Sequence, residues 1–324
     1  MQFSTPIHIN QEADITYKSK IMMFGSCFSE HIGNRLDALK FSVSNNPLGI
    51  LFNPCSIQES IKRIVSFKQF DHTDLFCKEG VWNSFHLHSK FARLSEEDFL
   101  LNANQALESA HRFMREASHI FITLGTAWIY ELADGGVVAN CHKEPQERFS
   151  RRRIDVTECV ESLNGAIQLI RSLNPTAKIT FTVSPIRHWK DGAHENQLSK
   201  STLLLAIGIV QEKNRDIQYF PAYEIMMDEL RDYRFYASDM LHPNESAIQY
   251  IWEKFTACRM TSEAIEQMAT IQKLREAVGH RPFNPDCDSH KRFIQKTKEN
   301  LETIAQAMPW IDFEAEREAL SAQL

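Results

Sequence analysis

Apolar runs of strand length alternate along this chain with stretches of helical periodicity. That pattern predicts an α/β protein with a mostly parallel sheet covered on both faces. Three runs carry the expectation: Ile21-Met22-Met23-Phe24, His119-Ile120-Phe121-Ile122-Thr123-Leu124 and Ile179-Thr180-Phe181-Thr182-Val183. Each is close to continuously apolar, as strands buried on both faces are. Each is followed by an amphipathic helical stretch, the connection that parallel strands need.

Taken in order, the first twenty residues read as extended and polar. The opening strand breaks at Gly25 and enters a helix marked by Ile32, Leu36 and Leu39. Phe41-Ser42-Val43-Ser44 reads as a second strand ending in the turn-rich Asn45-Asn46-Pro47-Leu48-Gly49. Ile57, Ile61, Ile64 and Val65 give helical spacing between Pro54 and Phe67, and residues 70–91 are irregular and rich in aromatics and histidines. Ser95-Glu96-Glu97-Asp98 places a capping serine before an acidic first turn, predicting a helix that runs to Glu116. A helix over 156–173, one over 199–214, a short strand at Gln218-Tyr219-Phe220-Pro221 and a closing helix over 247–255 complete the alternation. From Cys258 the pattern turns wholly helical, with periodic stretches at 261–278 and 290–307. The expected organisation is an α/β domain over 1–257, with an insert at about 54–118, and a helical extension over 258–324. A lid, a brace and a subunit contact forming a homo-oligomer are all open roles for that extension.

Composition narrows the function. With 324 residues the chain buries a full core, and a net charge of −6 with no long basic tract argues against a nucleic-acid partner. Arg151-Arg152-Arg153 is the one basic cluster and reads as a solvated loop edge. Seven cysteines, at 27, 55, 77, 141, 159, 258 and 287, are odd in number and form no Cys-x-x-Cys pair. They point to a reducing compartment instead of a disulfide framework or a zinc site. The opening Met1-Gln2-Phe3-Ser4-Thr5-Pro6 lacks a basic start followed by an apolar core, and no apolar run reaches membrane-span length. The expectation is a cytoplasmic protein without a membrane span.

Chemistry concentrates at two places. At Gly25-Ser26-Cys27-Phe28 a strand turns into a helix, so two nucleophile-capable side chains meet a helix N-terminus at the carboxyl edge of the sheet. A thiol there is expected to have a lowered pKa. Far downstream, Asp239-Met240-Leu241-His242-Pro243-Asn244 supplies a carboxylate and an imidazole three residues apart. Nucleophile, base and orienting acid together suit acyl transfer. Cys27 is the first candidate nucleophile; a turn rotated by one residue makes it Ser26. Asn244 ahead of Glu245 is also a natural N-cap, a role compatible with catalysis.

These stretches, with Asn46-Pro47-Leu48-Gly49-Ile50-Leu51-Phe52-Asn53-Pro54, Thr123-Leu124-Gly125-Thr126-Ala127-Trp128 and Ser184-Pro185-Ile186-Arg187-His188, resemble the GSCFA family, a divergent branch of the SGNH/GDSL hydrolases. Ser29 stands where the family's motif has alanine. The resemblance covers about residues 15–255. It implies a flavodoxin-like three-layer α/β/α sandwich and ester chemistry without a cofactor or metal. It places Cys27 at the superfamily's nucleophile position, Ser26 at its aspartate, and Asp239 and His242 in its last block. Gly49 falls at the second oxyanion donor, beside Cys27's own N–H, and Gly25 forms the corner. Gly125-Thr126-Ala127 falls on the Gly-x-Asn block without its asparagine, with Thr126 or Asn46 as substitute donors. The family's substrates are poorly defined; the expected substrate is a small-molecule or glycan ester, hydrolysed or transferred, and a non-catalytic binding protein on the same fold is the alternative.

Three further groups stand apart. His31, His86 and His88, with Asp71, His72 and Asp74 close in sequence, lack the spacing of a metal site. Trp82, Phe85 and Phe91 are candidates to line a substrate cleft. Arg187, after a strand's carboxyl end, is a candidate contact for an anionic substrate group or a member of a structural ion pair.

Overall fold

The computed structural model describes residues 5–133 and 135–323. Its strands are β1 Lys20–Gly25, β2 Ser42–Asn45, β3 Phe76–Lys78, β4 Val81–Asn83, β5 His119–Leu124, β6 Trp128–Leu132, β7 Phe149–Arg153, β8 Lys178–Val183 and β9 Gln218–Tyr219. Its helices are α1 Cys27–Ala38, α2 Pro54–Ser66, α3 Glu96–Glu116, α4 Val156–Leu173, α5 Gly192–Lys213, the short α6 Ala222–Glu224, α7 Glu245–Arg259, α8 Ser262–Val278, α9 Asp288–Ala307 and α10 Glu314–Ser321.

Five strands form one sheet in the order β2-β1-β5-β8-β9, every pair parallel. This is the doubly wound order of flavodoxin-like folds, with β1 at the point where the winding direction reverses. Side-chain alternation sorts the strands onto two cores. Met22, Phe24, Ile120, Ile122, Leu124, Ile179, Phe181 and Val183 face the layer built by α2, α3, α4 and α5. Ile21, Met23 and Phe121 face α1 and α7 on the other side. The three-layer sandwich read from the sequence is the fold of the chain.

The C-terminal helices complete the second core. Ile271, Leu274, Ile294, Leu301, Phe313 and Leu320 are buried in the same cluster as Ile32, Leu36 and Trp252. Lys40 pairs with Glu316 at 2.8 Å, and Lys18 stands 4.9 Å from the Trp310 ring.

Two hairpins depart from the sequence reading. β3 and β4 pair within 70–91, and β6 pairs antiparallel with β7, Trp128 opposite Arg153. Arg151, Arg152 and Arg153 therefore lie on a strand, not on a solvated loop edge. Each is ion-paired across the hairpin or to a neighbouring helix: Arg151 with Asp191, Arg152 with Glu131 and Glu158, Arg153 with Glu195. The strand has period-two alternation, but its charges masked it as loop. The helix expected from residue 199 begins at Gly192, one turn past Arg187 and His188.

Candidate active site

The strand–helix corner is held by contacts that only glycine permits. Gly25 has φ +132°, and a Cβ there would stand 2.1 Å from the Thr123 carbonyl oxygen. Its N–H donates to Asn46 Oδ1 at 2.8 Å, and its carbonyl accepts from Leu51 N–H at 3.1 Å. Ser26 then occupies the N-cap of α1 without using its hydroxyl as a cap. The first-turn N–H groups of a helix have no acceptor within the helix, and among the described residues those of Cys27 and Phe28 donate to no other residue. Ser26 is buried and its Oγ has no partner among the described residues; Cys27 is half-buried.

The second part of the site is a turn stapled to α7. Ala237 N–H donates to His242 carbonyl at 2.7 Å, and Asn244 caps α7 through the Ala247 N–H at 3.1 Å. Asp239 Oδ1 accepts from the N–H groups of Leu241 and His242 at 2.9 and 3.0 Å, and Oδ2 lies 2.5 Å from His242 Nδ1. The backbone N–H donors of His242 and Leu241, then the His242 ring, hold the Asp239 carboxyl down at about 2. An ionised carboxylate can only accept, so Nδ1 carries the proton and Nε2 is left as the basic atom.

Both parts open onto one cavity of about 520 Å³, lined by Ser26, Cys27, Thr126, Arg187, His188 and His242 among others. Among the described residues, neither Ser26 nor Cys27 hydrogen-bonds to His242. The thiol differs from expectation. Burial, with the Glu30 charge adding to it, pushes the Cys27 thiol up, against the lowering effect of its own N–H. Desolvation of a thiolate outweighs the helix terminus here. Cys27 is thus held toward its protonated thiol form.

The expected oxyanion residues divide. Gly49 N–H is spent on Asn46 carbonyl at 2.9 Å, with φ +101° and His88 filling the place of a side chain. Gly125 and Thr126 both donate their N–H groups to the Phe52 carbonyl, at 2.8 and 2.9 Å. The Thr126 hydroxyl meets Ser199 at 3.1 Å and accepts from Trp128 N–H. Asn46 holds the Gly25 corner through Oδ1, and its buried Nδ2 has no partner among the described residues. Open donors therefore gather at the start of α1.

Trp82, Phe85 and Phe91 do not line this cavity. Phe91 is buried in the first core, Trp82 packs against that core, and Phe85 stacks on Phe76 with ring centroids 4.2 Å apart. The aromatic walls are Phe52, Trp128, Tyr130 and Trp189 instead. Trp128 and Tyr130 alternate on β6, a period-two signal readable in Trp128-Ile129-Tyr130 once the segment is taken as a strand. His86 stands 3.7 Å from Asp74, which also takes a two-pronged bond from Arg63, while His88 accepts from Lys90 N–H and His31 is exposed. Among the described residues no three His, Cys, Asp or Glu side chains gather as a metal ion would require.

Lys200 escaped the sequence reading altogether. It is fully buried beneath the cavity, and its Nζ donates to Gly125 carbonyl at 2.7 Å and Ser184 carbonyl at 2.8 Å. It ties the ends of β5 and β8 together. Burial brings its pKa down to about 7. Burial first, then Lys200, His242 and Arg151, hold the neighbouring His188 imidazole at about 4. His188 Nε2 is enclosed and unpartnered among the described residues, so the ring is a neutral part of the cavity wall.

Residues 20–255 match the GSCFA family. The chain belongs to that family. Residues 271–324 match a second description, the GSCFA domain protein, C-terminal domain. The Gly-Ser-Cys-Phe stretch of this GSCFA chain is thus the corner on which the cavity is built. No curated protein matches the chain. Among solved structures, it is similar to a candidate platelet activating factor from Streptococcus pneumonia, with 13% identity, TM-score 0.40, and coverage of 76% of this chain and 85% of that one. It is also similar to the acetyl xylan esterase Est2A from the rumen bacterium Butyrivibrio proteoclasticus (12%, TM-score 0.39, 82% of this chain and 66% of that one). A carbohydrate esterase family 3 protein from Talaromyces cellulolyticus matches at 9% identity and TM-score 0.36, over 79% of this chain and 99% of that one.

Proposed function

We propose that this GSCFA protein is an esterase or acyltransferase that works through Cys27, His242 and Asp239, with Ser26 as the alternative nucleophile. One observation carries the reading. The early Gly25 corner and the late Asp239–His242 turn share a cavity, and Asp239 leaves His242 Nε2 as the free base. In the proposed course, Nε2 takes the Cys27 thiol proton as sulfur attacks the ester carbonyl carbon. The oxyanion is held by the open N–H groups at the start of α1. The C–O bond then breaks, and His242 returns the proton to the departing alkoxide. Water, or a second hydroxyl, loses its proton to His242, attacks the thioester and regenerates the thiol. A small-molecule or glycan ester fits the cavity, and the relay needs no cofactor.

A non-catalytic ligand-binding role is the second reading. It is favoured by the engaged N–H groups of Gly49, Gly125 and Thr126, the positions expected to serve as oxyanion donors or their substitutes. Turnover of short-chain p-nitrophenyl esters by wild type, Cys27→Ala and Ser26→Ala separates the two. Loss of about a thousandfold or more in Cys27→Ala alone is the expected result. Loss in Ser26→Ala alone moves the nucleophile to Ser26. Mapping of the residue acylated during turnover of a p-nitrophenyl ester identifies the attacking atom independently. Absence of turnover and of acylation at both residues overturns the catalytic reading.

A further inference from the structure

We propose that the ester taken by this cavity carries an anionic group, selected by Arg187; this rests on the ester reading above. Three cationic side chains line the cavity, Arg151, Arg187 and Lys190, against one carboxylate, Asp191. Arg151 is committed twice over, to Asp191 by an ion pair and to Trp128 by a guanidinium 4.1 Å above the ring. That pair leaves Asp191 neutralised. Lys190 reaches the Tyr130 hydroxyl at 3.1 Å. Arg187 pairs with no carboxylate among the described residues. Its guanidinium lies 4.7 Å from the centroid of the Trp189 ring, itself a wall of the cavity.

A protein of net charge −6 thus presents a cavity whose uncompensated charge is positive. The open first turn of α1 adds to the same sign. Among the described residues Ser26, almost wholly buried on the cavity wall, has an unpartnered Oγ, as has Trp128 its Nε1. The wall therefore has polar atoms to satisfy as well as charge to balance. A guanidinium seated on an indole keeps its hydrogen-bonding edge free, and that edge matches a carboxylate or another oxyanion in two-pronged fashion. The Trp189 face, with Trp128 and Tyr130, offers flat surface for the body of the substrate.

The test uses matched pairs of esters differing in one charge. 4-Acetoxybenzoate against its methyl ester places the anion on the alcohol side; mono-p-nitrophenyl adipate against p-nitrophenyl hexanoate places it on the acyl side. One anionic member is expected to exceed its neutral twin by about tenfold or more in kcat/KM, a preference that added salt weakens. Arg187→Gln is expected to bring that ratio toward one, and Arg187→Lys to restore part of it. Equilibrium binding of 4-hydroxybenzoate and adipate, against methyl 4-hydroxybenzoate and hexanamide, gives a readout independent of turnover. Ester turnover with no preference for either anionic member, or a preference that survives in Arg187→Gln, overturns this proposal and leaves the esterase reading intact. No turnover with Arg187-dependent binding of one anion overturns the esterase reading and leaves the anion site standing. No turnover and no such binding overturns both.

Discussion

In the proposed relay Asp239 decides which nitrogen of His242 acts. With its carboxyl held at about 2, it stays ionised throughout the working range. Asp239→Asn keeps the shape but no longer dictates the tautomer, and kcat/KM is expected to fall by about 10² to 10⁴ with smaller change in KM. The same residue has a stability signature. Its native pKa lies below the unfolded value of about 3.9. Its pairing is therefore whole above about pH 4 and is lost as pH falls through about 2. Thermal melts of wild type and Asp239→Asn should differ by a constant amount above about pH 4, the gap narrowing below it. Cys27 behaves oppositely to a thiol activated by its surroundings. Because burial pushes it up, its alkylation by iodoacetamide should still be rising at pH values where an ordinary cysteine, near about 8.5, has levelled off. A plateau near neutral pH would show a thiolate already formed. Lys200 supplies a third residue-scale check. Between about pH 7 and about 10.4 the unfolded chain holds a proton that the native lysine has released, so its contribution makes stability rise with pH there. Urea unfolding of Lys200→Met across that window should lack this rise; parallel curves for the two proteins would contradict it.

At the scale of elements, the proposed chemistry depends on where β1 stops. Gly25 lets the chain turn within van der Waals contact of β5, so α1 starts at the sheet edge, where Ser26 and Cys27 line the cavity. Gly25→Ala must accommodate a Cβ 2.1 Å from the Thr123 carbonyl oxygen at an unfavourable φ. It is expected to cost at least about 2 kcal/mol in urea unfolding. The strands and most helices were legible because burial imposes a period that a sequence displays directly: Met22 and Phe24 to one core, Ile21 and Met23 to the other. The β6–β7 hairpin was not. Its cavity-side residues Trp128, Tyr130 and Arg151 are half-buried and its exposed residues Ser150 and Arg152 are polar, and a strand whose arginines pair with distant carboxylates looks, in sequence, like a charged loop.

The whole molecule shares its second core between the α/β layers and the C-terminal helices. None of the residues lining the 520 Å³ cavity comes from α8, α9 or α10, so in this structure these helices brace α1 and α7 and do not cover the site. Ile271, Leu274, Ile294, Leu301, Phe313 and Leu320 are each worth about 1.5–3 kcal/mol of burial. Together they rival the roughly 5–15 kcal/mol of net stability that a folded chain has. A chain ending at residue 260 is therefore expected to aggregate or to melt well below the full-length protein in calorimetry. An unchanged melting temperature would assign those helices another purpose.

What this sequence determined by itself was local and periodic: parallel strands, covering helices, the glycine corner, the capped α7, and an aspartate spaced to reach a histidine. Those follow from backbone geometry and burial, which act over a few residues and leave their pattern in order along the chain. Only the tertiary structure decided that Cys27 is desolvated instead of activated, that Gly49, Gly125 and Thr126 spend their N–H groups elsewhere, and that Lys200 lies buried under the site. Those outcomes are set by which groups meet across the sheet edge, because desolvation and hydrogen-bond satisfaction depend on neighbours tens to hundreds of residues away.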